Sequence, residues 1–286
     1  MSTVSSSNTA FALELFRTLS QANPAGNIFV SPLSISSALA MVYLGAKGDT
    51  AAQMAQVSSL STCYLHEALS FSSGEGVHAD FQKLNADINS PSASYILKLA
   101  NRLYGENTAH FLPNETVPVQ MMHQKEQLPY NYIADHDLQI LELPYVGEEL
   151  SMFILLPKEL NEWTDRKNME VDSEVLVQLP KFKLEEDYEL NEPLAKLGMK
   201  DVFCAGRADL SGMNGEGGLF LSTVAHKAFV EVNEEGTEAA AATDAVIMMQ
   251  CYIPDTLFSA DHPFLFFIRH NETKSILFFG RFSSPQ

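Results

Sequence analysis

The chain has 286 residues, 46% of them hydrophobic and 19% charged, enough for one large core and ordinary for a globular protein. Its formal net charge is −18, with 36 acidic against 18 basic side chains, which excludes nucleic acid as a partner because phosphates would repel it. The same acidity favours encounter with basic proteins as a rate effect, and it also serves solubility.

Cys63, Cys204 and Cys251 form an odd, sparse set that fits a reducing compartment better than a disulfide framework. The N-terminus, Met-Ser-Thr-Val-Ser-Ser-Ser-Asn, shows neither the basic start nor the apolar core of a signal peptide. No run approaches the roughly 18 apolar residues of a membrane helix. A cytoplasmic monomer is expected, with signal-free release to the extracellular space as the alternative.

In chain order, Asn8 to Ser20 reads as a helix, with Asn8 as its cap and Phe11, Leu15, Phe16 and Leu19 as an apolar stripe. Ile28–Val30 is a short strand. Pro32 opens a helix that Gly45 stops near Leu44. Asp49 or Thr50 caps the next one. Thr62 to Gly76 is a Ser-rich loop, Val77 to Ile88 is helical, and Tyr95–Tyr104 reads as a buried strand.

Val117–Met122 suits an edge strand, given Pro118. Tyr130–Ala134, Gln139–Pro144, Leu150–Leu156 and Val175–Lys183 are further strands, and Leu190–Leu197 is a short helix. Leu219–Val232 reads as one long strand. Phe264–Ile268 and Ile276–Phe279 form a hairpin across His270–Lys274. The result is a single α+β domain over residues 1–286, without repeats or linkers.

No catalytic constellation stands out. A Gly-x-Ser-x-Gly elbow is missing, and the eight histidines do not pair at metal-binding spacing, so neither an enzyme nor a metal or other cofactor is expected. Gly45-Ala-Lys-Gly48 and Gly212–Gly218 read as plain loops rather than phosphate cradles.

One stretch reads two ways. Glu231-Val-Asn-Glu-Glu-Gly-Thr-Glu-Ala-Ala-Ala-Ala-Thr243 is a helix by propensity, because four alanines sit at the top of that scale. By alternation it is a strand, with Thr237, Ala239, Ala241, Thr243, Ala245, Ile247 and Met249 on one uncharged face. Only small residues line the part of that face that would enter a sheet first. Gly236 is free of the side chain that forbids hinge-like backbone angles.

That stretch resembles the hinge of an inhibitory serpin, and Phe258-Ser-Ala-Asp-His-Pro-Phe-Leu-Phe-Phe-Ile268 resembles the serpin C-terminal signature at the expected distance. Asn27–Met41 and Gly45–Thr50 are similar to the family's second helix and its exit. The resemblance runs from about Ser6 to Pro285 and points to the ovalbumin-like branch.

The resemblance implies a serpin fold with an exposed reactive loop at about 234–258. It implies a hinge formed by Glu234, Glu235, Gly236, Thr237, Glu238, Ala239, Ala240, Ala241, Ala242 and Thr243. Counting along the loop places the scissile bond at Gln250–Cys251, with Met249 one residue earlier as the better fit to a chymotrypsin-like or elastase-like pocket. Ser31, Ser34 and His226 match the family's shutter, the polar point beneath the main sheet; for His226 this is compatible with its being a satisfied core histidine. The implied activity is suicide inhibition of serine proteases: loop cleavage, hinge insertion as a new strand, and distortion of the trapped acyl-enzyme.

The chain departs from the family near Phe111–Pro118, where a large block is missing. In relatives this block carries the first and third strands of the main sheet, and an asparagine that would meet His226. A smaller gap lies near Lys158–Asn161. An incomplete main sheet is therefore expected. The alternative function is a non-inhibitory serpin-fold protein or truncated isoform, cleaved as a substrate because its insertion slot is incomplete.

Overall fold

Six strands form the largest sheet of the computed structural model, which describes residues 3–57, 86, 119–157, 174–233 and 256–285. They are β1 (Ile28–Val30), β3 (Tyr130–Ile133), β4 (Leu138–Pro144), β5 (Leu150–Pro157), β10 (Phe264–His270) and β11 (Ile276–Phe282), in the order β1-β11-β10-β5-β4-β3 and antiparallel throughout. A three-stranded sheet joins β2 (Met121–Gln127), β6 (Glu174–Pro180) and β9 (Thr256–Ser259), with β6 and β9 parallel. A two-stranded sheet pairs β7 (Phe182–Glu189) with β8 (Ala225–Val232).

Near-continuous apolar strands explain the layering. β5 and β10 are buried on both faces, as the runs Leu-Ser-Met-Phe-Ile-Leu-Leu and Phe-Leu-Phe-Phe-Ile demand. Leu265, Phe267 and Phe279 point to a core shared with Phe11, Leu15 and Leu19 of helix α1 (Thr3–Ala22). Ile35 of helix α2 (Pro32–Tyr43), Met54 of α3 (Gly48–Val57) and Leu194 of α4 (Asn191–Lys196) join the same core. Phe264, Phe266 and Ile268 point the other way, to a second core with Leu184 of β7, Val177 of β6 and Phe258 of β9. Helices thus cover one face of the large sheet and the two smaller sheets cover the other.

At the sheet's centre Gly280 lies opposite Phe29 and Phe266. A Cβ there would stand 2.7 Å from the Phe266 ring and 3.0 Å from the Ile28 carbonyl oxygen. The missing side chain is the space that the ring fills.

Several sequence expectations need correction. Helix α1 starts at Thr3, so Asn8 is not its cap but an interior, buried residue. Its Nδ2 donates to the Ile276 carbonyl (2.8 Å) and its Oδ1 accepts from Ser36 Oγ (3.0 Å), fastening α1 to β11 and α2. Thr50 accepts from the Asp209 N–H (2.9 Å), tying α3 to a distant loop rather than capping it.

The expected strand Val175–Lys183 is two strands in different sheets. The buried positions change phase at Pro180, from Val175, Val177 and Leu179 to Phe182 and Leu184. The strand expected over Leu219–Val232 begins only at Ala225. Before it, Asn191 holds the backbone irregular, donating to the Ser222 carbonyl (2.7 Å) and accepting from the Val224 N–H (2.7 Å). The edge strand after Pro118 does form, shifted to Met121–Gln127. Residues 256–258, included in the expected reactive loop, lie in β9, where Phe258 is wholly buried.

Candidate functional site

The β7–β8 hairpin positions the residues singled out by sequence. It is antiparallel from Phe182↔Val232 to Glu189↔Ala225. Alternation sends Leu184 and Ala228 into the second core and leaves Lys227 and Phe229 on the outer face. There Lys227 Nζ bridges Glu185 (2.7 Å) and Asp187 (3.3 Å), and Lys183 lies over the Phe229 ring. Hydrogen bonding to Lys227 holds the Glu185 carboxyl below its ordinary range.

At one end of the hairpin, Tyr188 and His226 are cross-strand partners; Tyr188 reaches β1 and His226 reaches Ser31, the residue that follows it. Tyr188 Oη accepts the Phe29 N–H (3.1 Å), and His226 Nε2 accepts the Ser31 N–H (3.0 Å). Among the described residues β1 is the terminal strand of its sheet, so the outward N–H groups of Phe29 and of Ser31 beyond it would otherwise lack strand partners. Two side chains of one strand pair satisfy them.

Ser31 is the hub of this anchor. Its Oγ donates to the Leu277 carbonyl of β11 (2.8 Å) and accepts from the Ser34 N–H (3.4 Å), capping α2 while Pro32 occupies its first turn. Ser31, Ser34 and His226 are therefore brought together. Tyr188 belongs with them and was not foreseen. Its signal was available: alternation places a hydroxyl-bearing ring on the inward face of β7, where it needs a partner.

Because Nε2 accepts, the neutral His226 ring carries its proton on Nδ1. That N–H is buried and has no hydrogen-bond partner among the described residues. His226 is thus a core histidine satisfied at one nitrogen only. Burial holds its imidazole down to about 4, so it is neutral at physiological pH. Burial likewise pushes the Tyr188 phenol up, keeping it a neutral hydroxyl.

β8 ends at Val232, and the chain continues directly into the predicted hinge. Among the described residues, β8 has a strand partner on one side only. The hinge Glu234–Thr243, the scissile candidates Met249, Gln250 and Cys251, and the strand expected at Tyr95–Tyr104 lie outside the described residues. No group of three or more metal-ligating side chains clusters among the described residues.

The fold is mixed, with a helix-backed six-stranded sheet and, on its other face, a three-stranded sheet and the β7–β8 hairpin. The serpin (serine protease inhibitor) family model matches residues 6–114 and 110–285, and the chain belongs to that family. It is 41% identical to leukocyte elastase inhibitor of Equus caballus and 42% identical to that of Homo sapiens, covering 100% of both chains in each case. Both alignments run over 391 positions against the 286 residues here, so the relatives hold residues that this chain lacks. The two stretches of the family match overlap at 110–114, next to the position at which a large block of the family's sequence is missing from this chain.

Among solved structures, uncleaved ovalbumin is similar with a TM-score of 0.79 at 27% identity, covering 99% of this chain and 100% of that one. A tumour-suppressing serpin matches with the same TM-score of 0.79 at 26% identity, covering 99% of each chain.

Proposed function

We propose that the chain is a suicide inhibitor of serine proteases of the chymotrypsin-like or elastase-like type. A protease attacks the loop at Gln250–Cys251 or Met249–Gln250 and forms an acyl-enzyme. The freed segment from Gly236 onward then adds as a strand beside β8 in the hairpin sheet, and the protease, still joined to the loop through the acyl bond, is dragged with it and distorted before water releases it. The observation that carries this reading is the side of β8 that has no strand partner among the described residues, together with the alternating, small-faced sequence that follows its last residue. Strand addition to such an edge gives backbone hydrogen bonds without requiring any particular side chain. The relatives named as elastase inhibitors support the protease class.

A second reading has its own observation. The missing block is expected to include strands that flank the insertion slot, and His226 Nδ1 has no partner among the described residues. On that reading the loop is cut as an ordinary substrate and nothing is trapped.

One gel separates the two. The pure protein is mixed with chymotrypsin and, separately, with pancreatic elastase, then denatured and run. A band at the summed mass supports trapping, and mass spectrometry of the released C-terminal peptide assigns the bond. A clipped band with fully active protease supports the substrate reading and sinks the first. In the trapping case, Thr237→Arg is expected to turn complex into clipped product, because a charge buried without a partner costs several kcal/mol. An undiminished yield of complex from that variant would contradict the insertion face assigned here.

A further inference from the structure

Between α4 and β8 the chain passes through a short helix, α5 (Ser211–Asn214), and then runs to Ala225 without regular structure. Asn214 clamps the first turn of this run. Its Oδ1 accepts from the N–H groups of Glu216 (3.2 Å) and Gly217 (3.1 Å), and its Nδ2 donates to the Gly217 carbonyl (3.0 Å). The next fastening is at Leu221, whose N–H donates to the Val202 carbonyl (2.8 Å). Asn191 then holds Ser222 and Val224, and the Val224 carbonyl accepts from the Leu190 N–H (2.7 Å).

Three residues bow out between the two fastenings. Among the described residues, no backbone N–H or carbonyl of Gly218, Leu219 or Phe220 has a hydrogen-bond partner. All three residues are exposed, Leu219 at 40% and Phe220 at 44%. Gly217 and Gly218 have φ of 79° and 80°, and a side chain at either would meet open space. These glycines therefore serve the path of the backbone and not a close packing. A single apolar side chain on a surface is ordinary. Two large ones side by side on unpaired, exposed main chain are what a serine protease reads.

A protease of the chymotrypsin type binds its substrate through free main-chain groups and takes one apolar side chain into a hydrophobic slot. Susceptibility to nicking follows from exposure and missing backbone hydrogen bonds. We propose that the Gly218–Phe220 bow is a second protease site, cut after Leu219 or Phe220 by a chymotrypsin-like serine protease. The protease's serine Oγ attacks the carbonyl carbon, the C–N bond breaks, and the leaving nitrogen takes the serine's proton to become an amine. Water then hydrolyses the acyl-enzyme to a carboxylate and free serine.

Nothing is trapped by this cut. The residues after it stay fastened, Leu221 to Val202, Val224 to Asn191 and Leu190, and β8 to β7. The bow precedes β8 and the reactive loop follows it, so the proposal does not depend on inhibition through that loop.

The test incubates the full chain with a small amount of chymotrypsin and weighs the fragments by mass spectrometry. The expected fragment begins at Phe220 or Leu221 and ends at Gln286, longer than the peptide cut from the reactive loop. Gel filtration before denaturation is expected to keep the two pieces together, because β10 and β11, which follow the cut, lie between β1 and β5, which precede it. The double variant Leu219→Asp/Phe220→Asp is expected to slow this cut at least about tenfold and to leave the loop cut unchanged. Leu219→Arg is expected to make trypsin, whose pocket bears an aspartate, cut after that position.

The same fragment at an unchanged rate from the double variant overturns the proposal. So does trypsin that spares Leu219→Arg at that position, or a wild-type cut that appears only in unfolding urea. Trapped complex, present or absent, reports on the reactive loop alone.

Discussion

The six-stranded sheet and the β7–β8 hairpin are built from similar alternating strands, and they differ in closure. In the large sheet β11, β10, β5 and β4 are each paired on both sides, and helices lie on one face and small sheets on the other. The buried outer edge of β1 and the Ser31 N–H just after it are finished by side chains, Tyr188 and His226. Among the described residues β8 has a strand partner on one side only. The first region is set up to keep one arrangement, and the second is where the proposed strand addition would occur. That division lets a chain be stable and still hold back a conformational step.

The comparison can be broken first in the closed sheet. Gly280→Val would drive methyl groups into the Phe266 ring and the Ile28 carbonyl, with an expected loss of about 3 kcal/mol from overpacking. Urea denaturation measures it. A loss below about 1 kcal/mol would mean that the sheet relaxes more than its closure suggests.

The anchor comes next, through pH. Between about 6.5 and about 4 an unfolded chain protonates this histidine while the folded one, held down to about 4, does not. Stability contributed by the neutral ring is therefore complete above pH 6.5 and is lost as pH falls towards 4, by about 3 kcal/mol in total. His226→Gln keeps an acceptor for the Ser31 N–H and removes the titration. The difference between the two denaturation free energies should shrink across that window, and a constant difference would show that His226 is not buried neutral.

Tyr188→Phe sharpens the picture further. It strips the acceptor from the Phe29 N–H without altering the packed ring, and the expected cost is about 1–2 kcal/mol. A neutral result would mean that water takes the place of the hydroxyl. The smallest effect belongs to the outer face of the hairpin. Lys227→Ala removes an exposed bridge to Glu185 and Asp187, and the urea midpoint should stay within error of the wild type.

Much of the large sheet was legible in the sequence because its strands are long, apolar and bounded by turns. Leu150–Leu156 and the Phe264–Phe279 hairpin were placed within a few residues. Shorter signals were decided by tertiary contacts. Asn8 looks like a cap until Ile276 and Ser36 claim its amide, and Leu219–Val224 looks extended until Asn191 takes its backbone groups. Ser31 and His226 were paired by resemblance, since nothing in local pattern joins residues 195 positions apart. Tyr188 escaped because a lone inward tyrosine looks like ordinary core.

The pairing of β1 with β11 has a consequence for synthesis. Arg281 Nε donates to the Gly26 carbonyl across 255 residues of chain, and β11 lies between β1 and β10 in the finished sheet. A growing polypeptide on the ribosome holds Ile28–Val30 without its neighbour until Ile276–Phe282 has been made. Contacts of such sequence separation form slowly, and strands left waiting invite wrong partners. A premature stop anywhere before codon 276 would remove an interior stave of the sheet rather than a dispensable tail.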